Sequence, residues 1–302
     1  MAYLERAFNG AFIQRLRALQ GGDDLIEMAA AVAEADGHQF SVAETVAVLD
    51  SLADGLRDLP FARQSSGDRA RALSEAFVRR LGFNGCEGDY YNPRNSYLDH
   101  VLTRREGIPV SLAIVYLELG RRLDMQLVGV NFPGHFLVAV LEAGSNEGVL
   151  IDPFGNVVLS HAECAERLKR QFGDGAVLQP EHFVRASRQG MAVRMLGNLK
   201  TIRLSSGDVG SAVRLCTAAL AIMPSHPGEL SDRARLLEQL ERNDDALADL
   251  LRLKALLGEE SDRDDSPNDL LNARRDQDRS NAHSAIDQRI ASLRSRSKPI
   301  LH

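Results

Sequence analysis

The stretch YYNPRNSYLDHVLTRREGIPVSLAIVYLELGRRLDMQLVGVNFPGHFLVAVLEAGSNEGVLIDPFGNVVLS, residues 90–160, decides the fold. After Gly107-Ile108-Pro109, a segment from about Val110 to Leu123 is apolar almost all round, which predicts a buried helix. Proline suits its first turn, because the missing N–H has no partner there and its φ is already helical. Three short apolar runs follow and predict strands: Leu127–Val130, Phe136–Leu141 and Val149–Asp152.

The residues before this stretch predict helices. Apolar residues recur at helical spacing through residues 1–82. Asp23-Asp24 can cap a helix from Leu25 to about Ala35, and Ser41 with Glu44 forms a capping box for the next helix. We find no residues with an evident chemical role in this region.

An internal repeat follows the central stretch. Ala212 and Ala219 are followed 34 residues later by Ala246 and Leu253, so small or apolar residues recur in register. A helix-turn-helix period of 34 is typical of tetratricopeptide repeats, in which small residues let paired helices approach closely. An ordinary helical hairpin bundle with a chance spacing is the alternative.

The composition changes at Glu259, where a charged segment nearly free of apolar residues begins. Such a segment cannot offset its chain entropy by burying apolar surface, so residues 259–302 are expected to be a largely disordered tail. The sequence therefore divides into a helical region at 1–82, a core at 83–189, helical repeats at 190–258 and this tail.

Charge and cysteine content exclude several function classes. The net charge of -6 argues against nucleic acid or an anionic membrane surface as the main partner. The three cysteines form no C-x-x-C, so neither a disulfide framework nor a thiolate metal site is expected. No metal-binding or cofactor-binding motif appears, and neither does a signal-peptide core or a membrane-spanning run. We expect a cytoplasmic protein with no metal and no cofactor.

Three polar residues lie at the edges of the central apolar block: Ser111, His135 and Asp152. In that order they could supply a nucleophile, a base and a group that orients the base. Each also has a structural alternative. Ser111 could satisfy a free N–H in the first helical turn, His135 could be a half-buried residue before a strand, and Asp152 could form an Asp-Pro turn.

The segments YYNPRNSYL, RREGIPVSL, VNFPGHFLV and LIDPFG, followed by repeats, resemble a bacterial family of transglutaminase-like regulators of sir-operon expression. The resemblance covers roughly residues 25–260. It implies an α+β fold with a papain-like core, in which a central helix packs on a small antiparallel sheet. It also implies C-terminal tetratricopeptide-like repeats.

This chain differs from transglutaminase-like enzymes at one of their three catalytic positions. In transglutaminase-like enzymes a cysteine begins the central helix, and His135 and Asp152 match the histidine and aspartate that follow it. Here the cysteine position falls on Pro109 or Ser111. A helix dipole contributes about 1 kcal/mol, too little to generate an alkoxide from serine. Ser111 would therefore need His135 as a general base within hydrogen-bond reach. Cys86, in a loop, is a weaker candidate nucleophile.

The polar turn at the start of the stretch offers ligand-binding candidates in Asn92, Arg94 and Asn95, although turn hydrogen bonds and an arginine–carboxylate tie would explain them equally. We expect a non-catalytic regulatory protein that binds a protein or peptide partner through its core cleft and repeats. A hydrolase or acyl-transferase using Ser111, His135 and Asp152 is the alternative. The direction of the Ser111 side chain distinguishes them, and the oligomeric state stays open.

Overall fold

A computed structural model of the protein describes residues 8–19, 21, 24–61, 64–142, 144–145, 147–261 and 283–295. The chain folds as two compact units, one of residues 21–202 and one of residues 1–20 with 203–302. Within the described ranges, no helix combines the length and the hydropathy that crossing a bilayer requires. The domain boundaries expected from the sequence stay predictions.

The described residues are mostly helical and contain one small antiparallel sheet. The helices are α1 (Gly10–Ala18), α2 (Leu25–Ala35), α3 (Val42–Asp54), α4 (Ser66–Arg79), α5 (Leu98–Arg104), α6 (Pro109–Arg122), α7 (His161–Phe172), α8 (Arg188–Ser205), α9 (Val209–Ile222), α10 (Pro227–Gln239), α11 (Asn243–Ser261) and α12 (283–295). The strands are β1 (Asn84–Gly85), β2 (Glu106–Gly107), β3 (Leu127–Val130), β4 (Leu137–Leu141), β5 (Gly148–Asp152) and β6 (Val157–Leu159).

Side-chain caps fix the starts of the early helices. Asp24 Oδ1 accepts the N–H groups of Ile26 at 2.8 Å and Glu27 at 3.0 Å, at the start of α2. Ser41 Oγ accepts the Glu44 N–H at 3.3 Å, at the start of α3. These bonds satisfy backbone donors that the helix itself leaves free. Both helix starts predicted from the sequence are confirmed.

The sheet is an antiparallel meander in the order β3-β4-β5-β6. Leu127 pairs with Val140, Val138 with Ile151, and Asp152 with Val157, which fixes the register. The three predicted strands are confirmed within one residue, and the short β6 was not predicted. A separate parallel pair, β1 with β2, lies just before α6.

Both faces of β4 are buried, which explains its uninterrupted apolar sequence. Leu137, Ala139 and Leu141 belong to a cluster with Cys164 and Leu168 of α7. The alternate residues point to the opposite face, which packs on α4 and α6. The central helix α6 is therefore covered on all sides, and every residue from Val110 to Gly120 is buried. A helix on a small antiparallel sheet is the core arrangement expected from the resemblance.

In the unit that contains residues 203–302, the described residues form helices joined by short turns. Ala212 of α9 and Ala246 of α11 are both fully buried, and these helices begin 34 residues apart, at Val209 and Asn243. Between them Arg233 of α10 donates to both carboxylate oxygens of Asp249 at 2.7 Å. The 34-residue spacing seen in the sequence thus relates two buried positions on two helices. That these helices form tetratricopeptide repeats stays a prediction.

Part of the expected disordered tail is ordered. Residues 283–295 form α12, and Ile286, Ile290 and Leu293 are buried against residues of α9, α10 and α11. These three residues lie at i, i+4 and i+7, on one face of the helix. They give this segment an apolar face to bury, which the charged segment before it lacks. The expectation of disorder was wrong for these residues. Residues 259–261 of the predicted tail are the last residues of α11, and residues 262–282 and 296–302 lie outside the described residues.

We predict that Leu293→Ala lowers the free energy of unfolding by about 2–5 kcal/mol, because its side chain is only 1% exposed and its loss leaves a cavity. Leu251→Ala is the matched control. That leucine is 42% exposed on α11, so we expect a change within about 0.5 kcal/mol. Urea unfolding followed by far-UV circular dichroism measures both, and equal effects would contradict the packing of α12.

Candidate functional site

The first turn of α6 is fixed by Ser111. Its hydroxyl is 0% exposed and donates to the Asn95 carbonyl at 2.7 Å. The same oxygen accepts the Ile108 N–H at 3.1 Å, which satisfies a donor left free at the helix start. None of its hydrogen bonds is to His135. The side chain of Ser111 therefore holds its own helix start and the polar turn.

Gly107 makes room for this arrangement. A Cβ at this position would lie 2.7 Å from Ser111 Oγ and 3.1 Å from side-chain carbons of Val101 and Leu112. Because the serine oxygen is held by backbone groups on two sides, it cannot move aside without losing a hydrogen bond. The glycine before Ile108 is thus required for the close approach of β2 to α6.

Two of the three predicted ligand residues hold the polar turn. Asn92 Oδ1 accepts the Arg94 N–H at 3.0 Å, and its amide donates to the Asp89 carboxylate at 2.7 Å. Asn95 is fully buried, donates to the Asp89 carbonyl at 2.6 Å and accepts from Arg104 at 2.9 Å. Arg94 is exposed, and its guanidinium has no hydrogen-bond partner among the described residues.

His135 lies half-buried just before β4, at the end of a turn closed by its N–H and the Phe132 carbonyl at 3.0 Å. Burial lowers the pKa of His135, the charges of Arg167 and Arg194 lower it further, and Asp152 opposes them. The imidazole is therefore neutral at pH 7, with a nitrogen lone pair available to accept a proton or a hydrogen bond.

Asp152 ends β5 and is almost completely buried. Its Oδ1 accepts the Phe154 N–H at 2.9 Å, and its Oδ2 accepts from Arg167 Nη1 at 2.6 Å. The carboxylate thus forms an Asx turn and an ion pair with α7. The structure brings Asp152 near enough to His135 for their charges to interact, but both oxygens have other partners. Sequence reasoning missed Arg167, because nothing local marks a partner 15 residues away.

A second arginine near His135 has uncharged partners. Arg194 of α8 donates to Asn131 Oδ1 at 2.6 Å, and its guanidinium lies 5.6 Å from the ring centroid of Phe136. Burial lowers the pKa of Arg194. Among the described residues it forms no ion pair with a carboxylate, unlike Arg167. This guanidinium is a partly desolvated cation that can bind an anionic group.

A small cavity lies between the start of α6 and the helix α8 that carries Arg194. It has a volume of about 200 Å³ and is lined by Tyr90, Tyr91, Ser96, Ile108, Asn198, Thr201 and Ile202. We call it the tyrosine cavity. Asn198 and Thr201 lie one and two turns beyond Arg194 on α8, so the cavity and the guanidinium share a helix face. Ser96 Oγ is buried and has no hydrogen-bond partner among the described residues. The cavity therefore offers aromatic walls and a free hydroxyl.

The three cysteines are free thiols, and all are buried. The Cys86 N–H donates to the Gly107 carbonyl at 3.0 Å, so the β1–β2 pair brings this cysteine beside the start of α6. Cys164 lies in the cluster between the sheet and α7, and burial raises the pKa of its thiol. Cys216 is buried in the helices of the other unit. None of them presents an exposed thiolate, as a catalytic cysteine would.

The match to known families agrees with this arrangement. Residues 43–197 match the transglutaminase-like superfamily. The chain belongs to this family. The matched region begins in α3 and ends in α8, so it contains the sheet, α6 and the residues around His135.

Bacterial relatives confirm the resemblance seen in the sequence. A UPF0162 protein of Xylella fastidiosa (strain Temecula1) is 36% identical over 191 residues, which cover 60% of this chain and 65% of the relative. The UPF0162 protein PA3419 of Pseudomonas aeruginosa is 35% identical over 205 residues, 67% of this chain and 73% of the relative. Protein SirB1 of Salmonella typhimurium is 31% identical over 186 residues, 62% of this chain and 69% of the relative. The match thus spans only about 65% of the length of the Xylella relative.

We predict that Ser111→Ala lowers the free energy of unfolding by about 1–3 kcal/mol, because it leaves the buried Ile108 N–H and Asn95 carbonyl without their partner. Ser51→Ala, at an exposed position of α3, is the control and should change stability by less than about 0.5 kcal/mol. Urea unfolding measures both. A stable Ser111→Ala protein would contradict the structural role.

We predict that the pKa of His135 lies below its ordinary value near 6.5 and rises in Arg167→Gln. The substitution removes a nearby positive charge and frees the Asp152 carboxylate to act on the imidazole. Lys169→Gln removes a half-exposed charge of the same helix that is not among the charges acting on His135, and should leave the pKa of His135 unchanged. NMR titration of the histidine Cε1 protons gives these values. An unchanged pKa in Arg167→Gln would be the contrary result.

Proposed function

We propose that the protein is a non-catalytic transglutaminase-like regulator that binds an acidic segment of a protein partner at the tyrosine cavity and Arg194. The observation that carries the non-catalytic part is the pair of buried hydrogen bonds of Ser111, to the Asn95 carbonyl at 2.7 Å and from the Ile108 N–H at 3.1 Å. A serine nucleophile needs a base within hydrogen-bond reach, and this hydroxyl is bonded to backbone groups instead.

The regulatory part of the proposal is supported by the family. Members that resemble this chain include one named Protein SirB1, and the sequence resembles regulators of sir-operon expression. A core that keeps the family's histidine and aspartate but lacks its cysteine is consistent with a role in binding. The proposed partner is a protein or a peptide, and the helical repeats proposed for residues 190–258 would add binding surface. We place this function in the cytoplasm.

The preference for an acidic segment follows from the charges around His135. Arg167 is already neutralised by Asp152, whereas Arg194 contacts the uncharged Asn131 and Phe136 and forms no ion pair with a carboxylate in the part of the chain that the structure describes. A partly desolvated guanidinium gains more from a carboxylate than an exposed one does, because water competes less for it. The tyrosine cavity beside it has the volume of about one side chain, so it can hold the residue that carries or neighbours the acid.

The alternative function is a hydrolase or acyl-transferase that uses Ser111, His135 and Asp152. It would require the Ser111 side chain to leave Asn95 and Ile108 and to turn toward His135. It would also require Asp152 to exchange Arg167 for the imidazole. Each change breaks a buried or partly buried hydrogen bond, and leaving a buried group without its partner typically costs about 1–3 kcal/mol. We find no contact that favours this alternative.

A peptide library displayed on phage and selected against the immobilised full chain tests the binding proposal. We expect the enriched peptides to share an aspartate or glutamate, and Arg194→Gln to weaken their binding about 10–100-fold, the effect of losing one charged hydrogen bond. Arg194→Lys should lose less, because it keeps the charge. Arg235→Gln, at an exposed arginine of α10, is the control and should bind normally. Enriched peptides without acidic residues, or full binding by Arg194→Gln, would refute the proposal.

A further inference from the structure

Three side chains that the proposed function does not use lie together near the polar turn: His38, Asp99 and His100. One ligand atom from each lies within 4.8 Å of the other two. His38 Nε2 is 2.7 Å from Asp99 Oδ2, and the two histidine ring centroids are 4.9 Å apart. His38 follows α2 and the other two begin α5, so the fold brings together residues that are 61 positions apart.

A second observation at the same place points to a ligand. Asp99 Oδ1 is buried and has no hydrogen-bond partner among the described residues, although Oδ2 has one. Thr45 is only 2% exposed, and its Oγ1 also lacks a partner within the described ranges. Both residues line a cavity of about 440 Å³. Buried polar atoms are rarely left without partners in folded proteins, so two of them at one cavity indicate that something polar binds there.

The ring of His38 is held in place by its neighbours. The Tyr97 ring stacks on it with centroids 4.3 Å apart and planes at 4°. Tyr97 is fixed in turn, because its hydroxyl donates to Asp36 Oδ2 at 2.6 Å. A ligand ring whose orientation is set by surrounding contacts binds a metal at a lower entropic cost than a free one.

We propose that His38, Asp99 and His100 bind a divalent late transition-metal ion such as Zn²⁺. Two imidazoles and one carboxylate suit Zn²⁺ and its neighbours in the d-block, whereas Mg²⁺ and Ca²⁺ prefer oxygen ligands alone. Tetrahedral bonds of about 2.0–2.1 Å separate ligand atoms by about 3.3 Å, so movements on the order of 1 Å complete the site. Of the three ligands, Asp99 lines the cavity of about 440 Å³, which is also lined by Thr45.

Such an ion would join the end of α2 to the start of α5. Because α5 directly follows the turn that contains Asn95, the metal would hold the segment to which Ser111 is bonded. Its role would then be to stabilise the fold around the proposed binding site. The metal site does not depend on the acidic partner proposed above, and the two can fail independently.

Zn²⁺ titration of the untagged full chain, stripped with a chelator, tests the site by competition with a chromophoric chelator. We expect one ion per chain. Asp99→Asn and His100→Gln should each weaken Zn²⁺ binding at least about tenfold. Even the loss of a group that only orients a metal ligand typically lowers metal affinity about 10–100-fold. Asp99→Asn keeps the side-chain size, and far-UV circular dichroism checks that both variants fold.

His161→Gln is the matched control, because this exposed histidine at the start of α7 is remote in sequence from the site and absent from the cluster. It should bind Zn²⁺ like the unchanged chain. Binding of Co²⁺ should give a visible d–d absorption that is lost in Asp99→Asn. Absence of stoichiometric binding, full binding by Asp99→Asn, or an equal loss in His161→Gln would each overturn the proposal.

Discussion

The hydrogen bond from Ser111 to the Asn95 carbonyl joins the start of the buried central helix to the polar turn before it. It fixes the direction of α6, and Gly107 is needed to make room for the oxygen. The same bond occupies the hydroxyl that would be the nucleophile of a catalytic triad. One buried contact therefore stabilises the start of the central helix, and the non-catalytic part of our proposal rests on the same contact.

The charges around His135 explain what the retained residues can still do. Asp152 is bound to Arg167 and to a turn N–H, so it holds α7 against the sheet. Arg194 contacts Asn131 and Phe136 but forms no ion pair with any described carboxylate, and it shares a face of α8 with two residues of the tyrosine cavity. The site thus combines a histidine of lowered pKa with a partly buried guanidinium that has no ion pair among the described residues, and the proposed binding of an anionic group rests on this guanidinium.

The sequence predicted features with local causes and missed those that depend on distant partners. Pro109 and the Ser41 cap placed their helices because each acts within one turn. The ion pair of Asp152 with Arg167 and the meeting of His38 with Asp99 depend on tertiary packing, for which the sequence carries no local signal. The sequence shows a weak helical pattern at Ile286, Ile290 and Leu293, but the segment was assigned to the disordered tail because the charged residues before it dominate the composition. Its three buried residues at helical spacing were too weak a signal alone.

The most direct test of the central claim is intact-mass analysis of the full chain after treatment with a fluorophosphonate, which labels activated serines covalently. Because the Ser111 hydroxyl is buried and bonded to backbone groups, the account predicts no adduct under conditions that fully label a serine hydrolase in the same tube. Stoichiometric modification of Ser111 that disappears in His135→Ala would contradict it and would establish a catalytic site.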